Sequence, residues 1–248
     1  MSIYTPLCSL RLKVPSFFNP SELQHGDIPL IVKILRMSTK YQVPALRKRA
    51  IDVLLRWYPT TLDAYKEIPT CENPLRDRYA YARHVMVANV ARETDALVLL
   101  PTALFLCCAS ADASTLYDGM IQDGTYHLLS DRNKRAVVLG RPRLSHAART
   151  RTHSFLFRPQ ARGGFECRRT ACADFCNIYT SVLDDKEDPF INPFRRIVWE
   201  SLGKACCTPC IQDWMRVNRE ASLEVWQELP SFFDLPPWQE LTKVSGES

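Results

Sequence analysis

Residues 28–57 read IPLIVKILRMSTKYQVPALRKRAIDVLLRW, the clearest helical pattern in this chain. Apolar residues recur every three or four positions in its first half and predict a helix over residues 28–41. They form two stripes, which are Ile28, Ile31, Val32 and Leu35 on one side and Leu30, Ile34, Met37 and Tyr41 on the other. A helix that is apolar on two sides is expected to pack between neighbours. Pro44 suits the first turn of a second helix, predicted over residues 44–57, so the stretch predicts a helix hairpin.

The rest of the chain continues this helical pattern. Further helices are predicted over residues 74–92, 96–109, 113–121, 130–139, 142–157, 193–205 and 208–229. Gly140 and Pro142 are expected to break the helix that begins at residue 130. Glycine is scarce, with 8 among 248 residues, and proline is common, with 17. The composition therefore favours helices joined by proline-containing connections, and the sequence predicts a mainly α fold.

Three regions are predicted along the chain. Residues 1–16 are expected to be irregular, residues 17–62 to hold the helix hairpin, and residues 63–248 to form a helical C-terminal region. That region ends in a proline-rich tail at 229–241, which is predicted to be extended. Its large apolar side chains would form an exposed hydrophobic patch in water, so we expect the tail to pack against the rest of the protein.

The N-terminal sequence lacks the basic and apolar segments of a signal peptide. The longest uncharged apolar run, residues 96–109, has 14 residues, whereas a membrane span needs about 20. We therefore expect an intracellular protein of the cytoplasm or nucleus, with no membrane partner. The ten cysteines would then be free thiols or metal ligands rather than a disulfide framework.

The sequence contains no dinucleotide-binding, P-loop, zinc-protease or nucleophile-elbow motif. The five histidines are scattered, and His84 lies inside a predicted helix, where we expect a structural role. These observations predict a non-enzymatic protein with no catalytic residues and no organic cofactor. An enzyme of unrecognised type is the third alternative.

Cysteines cluster in a Cys-rich segment, residues 167–210. The candidate metal ligands are Cys167, Cys172, Cys176, Cys207 and Cys210. Zinc binds four thiolate or imidazole ligands in a tetrahedron, often as one close pair on each of two segments. The spacing of Cys207 and Cys210 matches such a pair. The alternative is a set of buried thiols, because free cysteine behaves as a small hydrophobic residue, as Cys107 and Cys108 are expected to do in an apolar helix.

Positive charge is concentrated in one segment. Residues 131–169 contain 11 Lys+Arg and 2 Asp+Glu, which gives a net charge of +9 within an overall +5. Ten of these cations are arginine, which suits phosphate recognition. Aromatic side chains are not interleaved there as stacking platforms. A nucleic-acid surface and a solvated or internally paired face therefore remain as alternatives.

The core of the opening stretch, Ile34–Leu55, resembles the closing helix pair of a BTB/POZ domain. The wider pattern is similar to fungal BTB proteins of the mushroom type, through Tyr58–Leu62, Leu99–Leu104, the Cys-rich middle and an ending at Trp226–Trp238 (WQELPSFFDLPPW). The resemblance implies a protein–protein interaction module, a scaffold or adaptor, with unknown protein partners. In the family, the dimer interface and most of the cullin-docking surface precede this helix pair, where this chain has 27 residues. The resemblance therefore does not imply that this chain forms homodimers or acts as a ubiquitin-ligase adaptor. The runner-up function is nucleic-acid association through residues 131–169.

Overall fold

A computed structural model describes residues 27–68, 80–157, 172, 191–195, 197, 199 and 206–246, and it is mainly helical, which confirms the predicted fold class. Ten α-helices lie in this part of the chain. They are α1 (Ile28–Lys40), α2 (Pro44–Leu54), α3 (Leu62–Glu67), α4 (Ala80–Glu93), α5 (Leu100–Ser110), α6 (Ala113–Asp118), α7 (Asp131–Ala147), α8 (Ser154–Phe157), α9 (Thr208–Phe232) and α10 (Trp238–Gly246). The predicted irregular segment 1–16 lies outside the described residues.

Helices α1 and α2 form the predicted hairpin and pack beside α4. The α1 stripe that begins at Ile28 and includes Leu35 is buried. The second stripe differs from the prediction. Leu30, Met37 and Tyr41 are 52%, 49% and 61% exposed, whereas Ile34 is partly buried and packs against the main core as expected. The expectation that α1 packs between neighbours on both sides is therefore wrong for this stripe, because α2 and α4 cover the other side of the helix.

Helix α5 runs through the centre of the protein. Every residue from Leu100 to Cys108 is buried, as expected for a helix that is apolar on all sides. Thr102, the polar exception in its first turns, donates its hydroxyl to the carbonyl oxygen of Pro59 at 2.7 Å. The prediction that Cys107 and Cys108 belong to the core is confirmed.

A short β-hairpin follows α6, where the sequence predicted a helix continuing to residue 121. Strands β1 (Met120–Gln122) and β2 (Thr125–His127) are antiparallel, and Gln122 pairs with Thr125. The two residues between them, Asp123 and Gly124, have φ values of 48° and 71°. Positive φ at both positions is typical of a type I′ turn, and Asp-Gly is one of its preferred sequences. The longer helix prediction was therefore wrong.

Helix α7 continues through Gly140 and Pro142 to Ala147, so the predicted break was also wrong. Gly140 serves close packing instead. A Cβ atom there would lie 2.4 Å from Cε1 of Phe233 and 3.2 Å from the carbonyl oxygen of Phe232. The glycine is required because the segment after α9 presses against this side of α7.

The C-terminal tail is docked as predicted, but it is not extended. Helix α9 continues through Pro230 to Phe232, and α10 begins at Trp238. The predicted extended conformation was wrong because the non-helical part comprises only residues 233–237. Trp226 donates its indole N–H to the carbonyl oxygen of Thr60, and Trp238 donates to that of Trp226, both at 2.8 Å.

One apolar core connects these helices. Its buried members come from every described α-helix except α8, and they include Leu35, Leu54, Leu104 and Trp226. Residues on both sides of the predicted boundary at 62 and 63 contribute to it. A second, smaller apolar cluster surrounds the first turn of α9 and contains Phe155 and Trp214.

Candidate metal centre

The first turn of α9 carries two of the predicted metal ligands. Cys207 precedes the helix in an extended conformation, and Cys210 lies in the first turn. Pro209 suits this position because the first N–H groups of a helix have no partner within it. The local sequence Cys-Thr-Pro-Cys therefore starts the helix and places both thiols at its N-terminal end.

Cys172 brings a third thiol to this place from a separate segment. The Sγ atoms of Cys172, Cys207 and Cys210 all lie within 4.8 Å of one another. The Sγ atoms of Cys172 and Cys207 are 3.8 Å apart, and the backbone N–H of Cys207 donates to Cys172 Sγ at 3.4 Å. Zn–S bonds of about 2.3 Å in a tetrahedron place two sulfur atoms about 3.8 Å apart. The spacing of this pair therefore fits a shared zinc ion.

An apolar shell encloses the three sulfur atoms. Cys172 and Cys210 are buried, and Cys207 is partly exposed. The rings of Phe155 and Trp214 stack at a centroid distance of 5.6 Å within the same cluster. Uncompensated thiolate charge is unfavourable in such surroundings. The shell therefore favours either neutral thiols or thiolates bound to a cation.

The structure brings together three of the five candidate ligands. Cys167 and Cys176 lie outside the described residues. Cys206 is buried in the same apolar cluster but is not one of the three thiols within mutual reach. Adjacent residues such as Cys206 and Cys207 cannot easily place both side chains on the same ion. The sequence predicted a helix from residue 193, but Pro193 and Phe194 form a turn and Arg195 is not helical.

Cys107 and Cys108 represent the other kind of cysteine in this chain. Burial raises the pKa of Cys108 to about 12 and also raises the pKa of Cys107 well above its usual value. Both thiols therefore stay protonated near neutral pH. The Cys108 thiol faces the carbonyl oxygen of Val137 at 3.9 Å. These residues act as core side chains, in agreement with the sequence interpretation.

Two histidines are buried, and each lies within hydrogen-bonding distance of a neighbouring hydroxyl group. His84 is fully buried, and its Nδ1 lies 2.9 Å from the hydroxyl oxygen of Tyr58. Burial raises the pKa of Tyr58 well above its usual value. His153 Nδ1 lies 2.9 Å from the hydroxyl oxygen of Thr152, and burial lowers the pKa of His153 to about 4. Both histidines are therefore integrated into the packing of the helices.

The arginine-rich segment 131–169 is described as far as residue 157, and several of its cations bind within the protein. Arg143 donates to the carbonyl oxygens of Ser231 and Phe232 at 3.1 and 2.9 Å, and it pairs with Asp234 at 2.8 Å. Arg151 pairs with two carboxylates of α9, those of Glu224 at 3.0 Å and Glu228 at 2.6 Å.

Arg143 and Arg151 line an open groove of about 560 Å³ between α7 and α9. Glu228 lines the same groove and pairs with Arg151. Arg141 donates to the carbonyl oxygen of Ala111 at 3.0 Å. The contacts of Arg141, Arg143 and Arg151 therefore favour a face whose charges are paired within the protein, which was one of the two predicted alternatives.

Sequence reasoning missed one functional candidate, the exposed stripe of α1. Its residues were assigned to a buried contact on the basis of their period. Lys33, Arg36 and Lys40 occur between them and could have indicated a solvent-facing border. The spacing of apolar residues alone does not distinguish a helix face that packs inside the protein from one that is exposed to solvent.

No protein-family model, no curated protein and no solved structure matches this chain. The resemblance to fungal BTB/POZ proteins therefore stays a prediction. Among the described helices, none combines the length and apolar character that crossing a membrane requires.

Proposed function

We propose that this chain is a non-enzymatic protein–protein interaction module, a scaffold or adaptor, that binds its partner through α1. The observation that carries the proposal is an exposed apolar stripe. Leu30, Met37 and Tyr41 are about half exposed or more, and their spacing places them on one side of the helix. Val43, 43% exposed, extends the stripe into the turn before α2.

The charges beside the stripe indicate the chemistry of the partner. Lys33 and Lys40 are exposed on α1, and their helical spacing places them along one border of the stripe. Lys40 also lies over the ring of Tyr41, 5.4 Å from its centroid. An amphipathic helix with a leucine-type stripe and glutamates along its border would match both the apolar and the basic parts. We therefore infer an acidic amphipathic helix as the docking segment of the partner.

Other features support the proposal without identifying the partner. The same stretch, Ile28–Trp57, resembles the BTB helix pair of fungal interaction proteins. His84 and His153 are built into the packing, which favours a non-enzymatic protein. Cys107 and Cys108 are free thiols in the core, which fits an intracellular location in the cytoplasm or nucleus. The internal pairing of Arg143 and Arg151 leaves nucleic-acid association without a specific observation in its favour.

A peptide-binding experiment with the full chain tests this function. The probes are two fluorescent helical peptides with the same leucine stripe, one bordered by glutamate and the other by lysine. We expect the acidic peptide to bind at least tenfold more tightly, and Met37→Glu to weaken that binding by about tenfold or more. The matched control is Val138→Glu, at a valine of α7 that is 59% exposed, which should leave binding unchanged.

Two results would contradict the proposal. The first is binding of the acidic peptide that is equally strong in the Met37→Glu protein. The second is failure of the acidic peptide to bind while a DNA duplex binds with a steep dependence on salt. The latter result would favour the nucleic-acid alternative, because counterion release makes such binding salt-sensitive.

A further inference from the structure

We propose that Cys172, Cys207 and Cys210 bind one structural zinc ion, a site that is independent of the interaction surface on α1. Three thiols from two separate segments meet within 4.8 Å. Zinc accepts thiolate ligands in a tetrahedral arrangement, and the 3.8 Å between two of the sulfur atoms equals the edge expected for such a site.

The start of α9 is a favourable electrostatic environment for thiolates that are bound to a metal ion. The N-terminal end of a helix carries partial positive charge, which stabilises a nearby thiolate. Cys207 and Cys210 lie at this end of a 25-residue helix. The backbone N–H of Cys207 also points at Cys172 Sγ, and such a hydrogen bond stabilises negative charge on a ligand sulfur.

The buried shell explains why an ion would be structural. Among the described residues, the small cluster around Phe155, Trp214 and the cysteines contains fewer large side chains than the main core. A shared zinc ion would connect Cys172 to the start of α9. When hydrated Zn²⁺ binds, three S–H bonds break and water ligands leave the ion as three Zn–S bonds form. Three protons pass to the solvent, with no oxidation or reduction. Zinc affinity should therefore fall as the pH falls.

A disulfide between Cys172 and Cys207 is the competing chemistry. It would use two of the thiols and leave Cys210 without a role in the cluster. It would also require an oxidant, whereas zinc binding requires only the ion. The convergence of a third thiol therefore favours the metal.

The test begins with the metal content of the full chain, purified with a reductant and zinc and then dialysed. We expect one zinc ion per chain by elemental analysis and native mass spectrometry. X-ray absorption should show a sulfur-dominated shell at about 2.3 Å. Cys172→Ser, Cys207→Ser and Cys210→Ser should each remove the tightly held zinc. Cys108→Ala, at a buried cysteine of the core, should retain it and serves as the control.

A second measurement covers the case in which a variant fails to fold. The wild-type chain, stripped of metal by a chelator, is titrated with Co²⁺ alone. Tetrahedral thiolate coordination should produce intense sulfur-to-cobalt charge-transfer absorption, and added Zn²⁺ should abolish it. The proposal is overturned if the protein retains no zinc and shows no such absorption. It is also overturned if the three serine variants keep their zinc, or if the reduced chain re-forms a disulfide in preference to binding the ion.

Discussion

Single residues of this protein owe their roles to partners that are distant in the chain. Tyr58 contacts His84, Trp226 binds Thr60, and Gly140 makes room for Phe233. In each case the side chain, or its absence, fits a surface supplied by another helix. A substitution at such a position should therefore affect stability in a direction that local helix propensity does not predict.

Gly140→Ala is the clearest case. In an exposed helix interior this change stabilises by about 1 kcal/mol. Here the new Cβ would lie 2.4 Å from the Phe233 ring, so we expect a destabilisation of about 1–3 kcal/mol, typical of overpacking. Thermal unfolding monitored by circular dichroism measures it. The double variant Gly140→Ala/Phe233→Leu should recover part of the loss, and a stabilising effect of Gly140→Ala alone would contradict the packing argument.

His153 should make stability depend on pH. Burial lowers its folded pKa to about 4 from the usual 6.5, so the unfolded chain takes up the proton first as the pH falls. The stabilising effect of the neutral imidazole is complete above pH 6.5 and is lost between pH 6.5 and 4. We expect this group to lower the free energy of unfolding by about 2 kcal/mol between pH 7 and 5.

Urea titrations of wild-type and His153→Gln proteins at several pH values measure this effect. Stability of the variant should change less steeply with pH across that window. Parallel pH profiles would show that another group is responsible. The comparison of slopes is informative even if the variant is less stable at every pH.

At the scale of elements, Arg143 joins α7 to the end of α9. Its guanidinium binds the carbonyl oxygens of Ser231 and Phe232, which belong to the last turn, where carbonyl groups have no partner within the helix. A cation at this end also interacts favourably with the helix dipole. The arginine therefore acts as a C-terminal cap supplied by a different helix.

Arg143→Met should lower the free energy of unfolding by about 1–2 kcal/mol, because hydrogen bonds to a charged donor are lost. Asp234→Asn is the control. It removes only an ion pair between side chains that are 42% and 59% exposed, for which we expect less than about 1 kcal/mol. Urea denaturation measures both effects. Equal losses would assign the stabilisation to the ion pair rather than to the cap.

The sequence correctly predicted those helices whose conformation depends on nearby residues. The period of apolar residues predicted α1, α2 and most of α9. The Asp123-Gly124 turn was also readable, since this pair prefers a type I′ hairpin, although the helix pattern before it was given more weight. The continuity of α7 was not readable, because Gly140 is explained by Phe233, which lies 93 residues later and contacts it only in the folded chain.

The candidate metal centre was also predictable only in part. The spacing of Cys207 and Cys210 predicted a pair of ligands at one helix turn. Cys172 was a candidate by composition, but its distance from that pair depends on how separate segments pack. The exposed face of α1 was not predictable from its apolar period alone, since the same stripe would serve equally well in an internal contact. The cations between its members were the available signal.

At the scale of the whole molecule, the main core reaches from α1 to α10, and we expect α10 to unfold together with the rest. Trp238→Ala would remove a buried ring that stacks on Trp226 at 6.3 Å and a hydrogen bond to its carbonyl oxygen. The expected cost is about 3–5 kcal/mol. The thermal unfolding transitions recorded by near- and far-ultraviolet circular dichroism should shift together to lower temperature.

Gln239→Ala, at the exposed neighbouring position, should leave the melting temperature nearly unchanged. If Trp238→Ala altered only the near-ultraviolet signal, α10 would be an independently fraying element. Coincident transitions recorded by the two probes would indicate a single cooperative unit.

Helix α9 belongs to both apolar clusters. Its first turns carry Cys210 and Trp214 in the small cluster, and its later turns carry Val225 and Trp226 in the main core. Cys210 and Val225 are about 22 Å apart along the helix axis, at 1.5 Å per residue. In mechanical terms α9 is a lever, and a tilt of about 5° at one end would move the other by about 2 Å over this length. A change of angle at the thiol cluster would therefore be expected to alter how Trp226 packs in the main core.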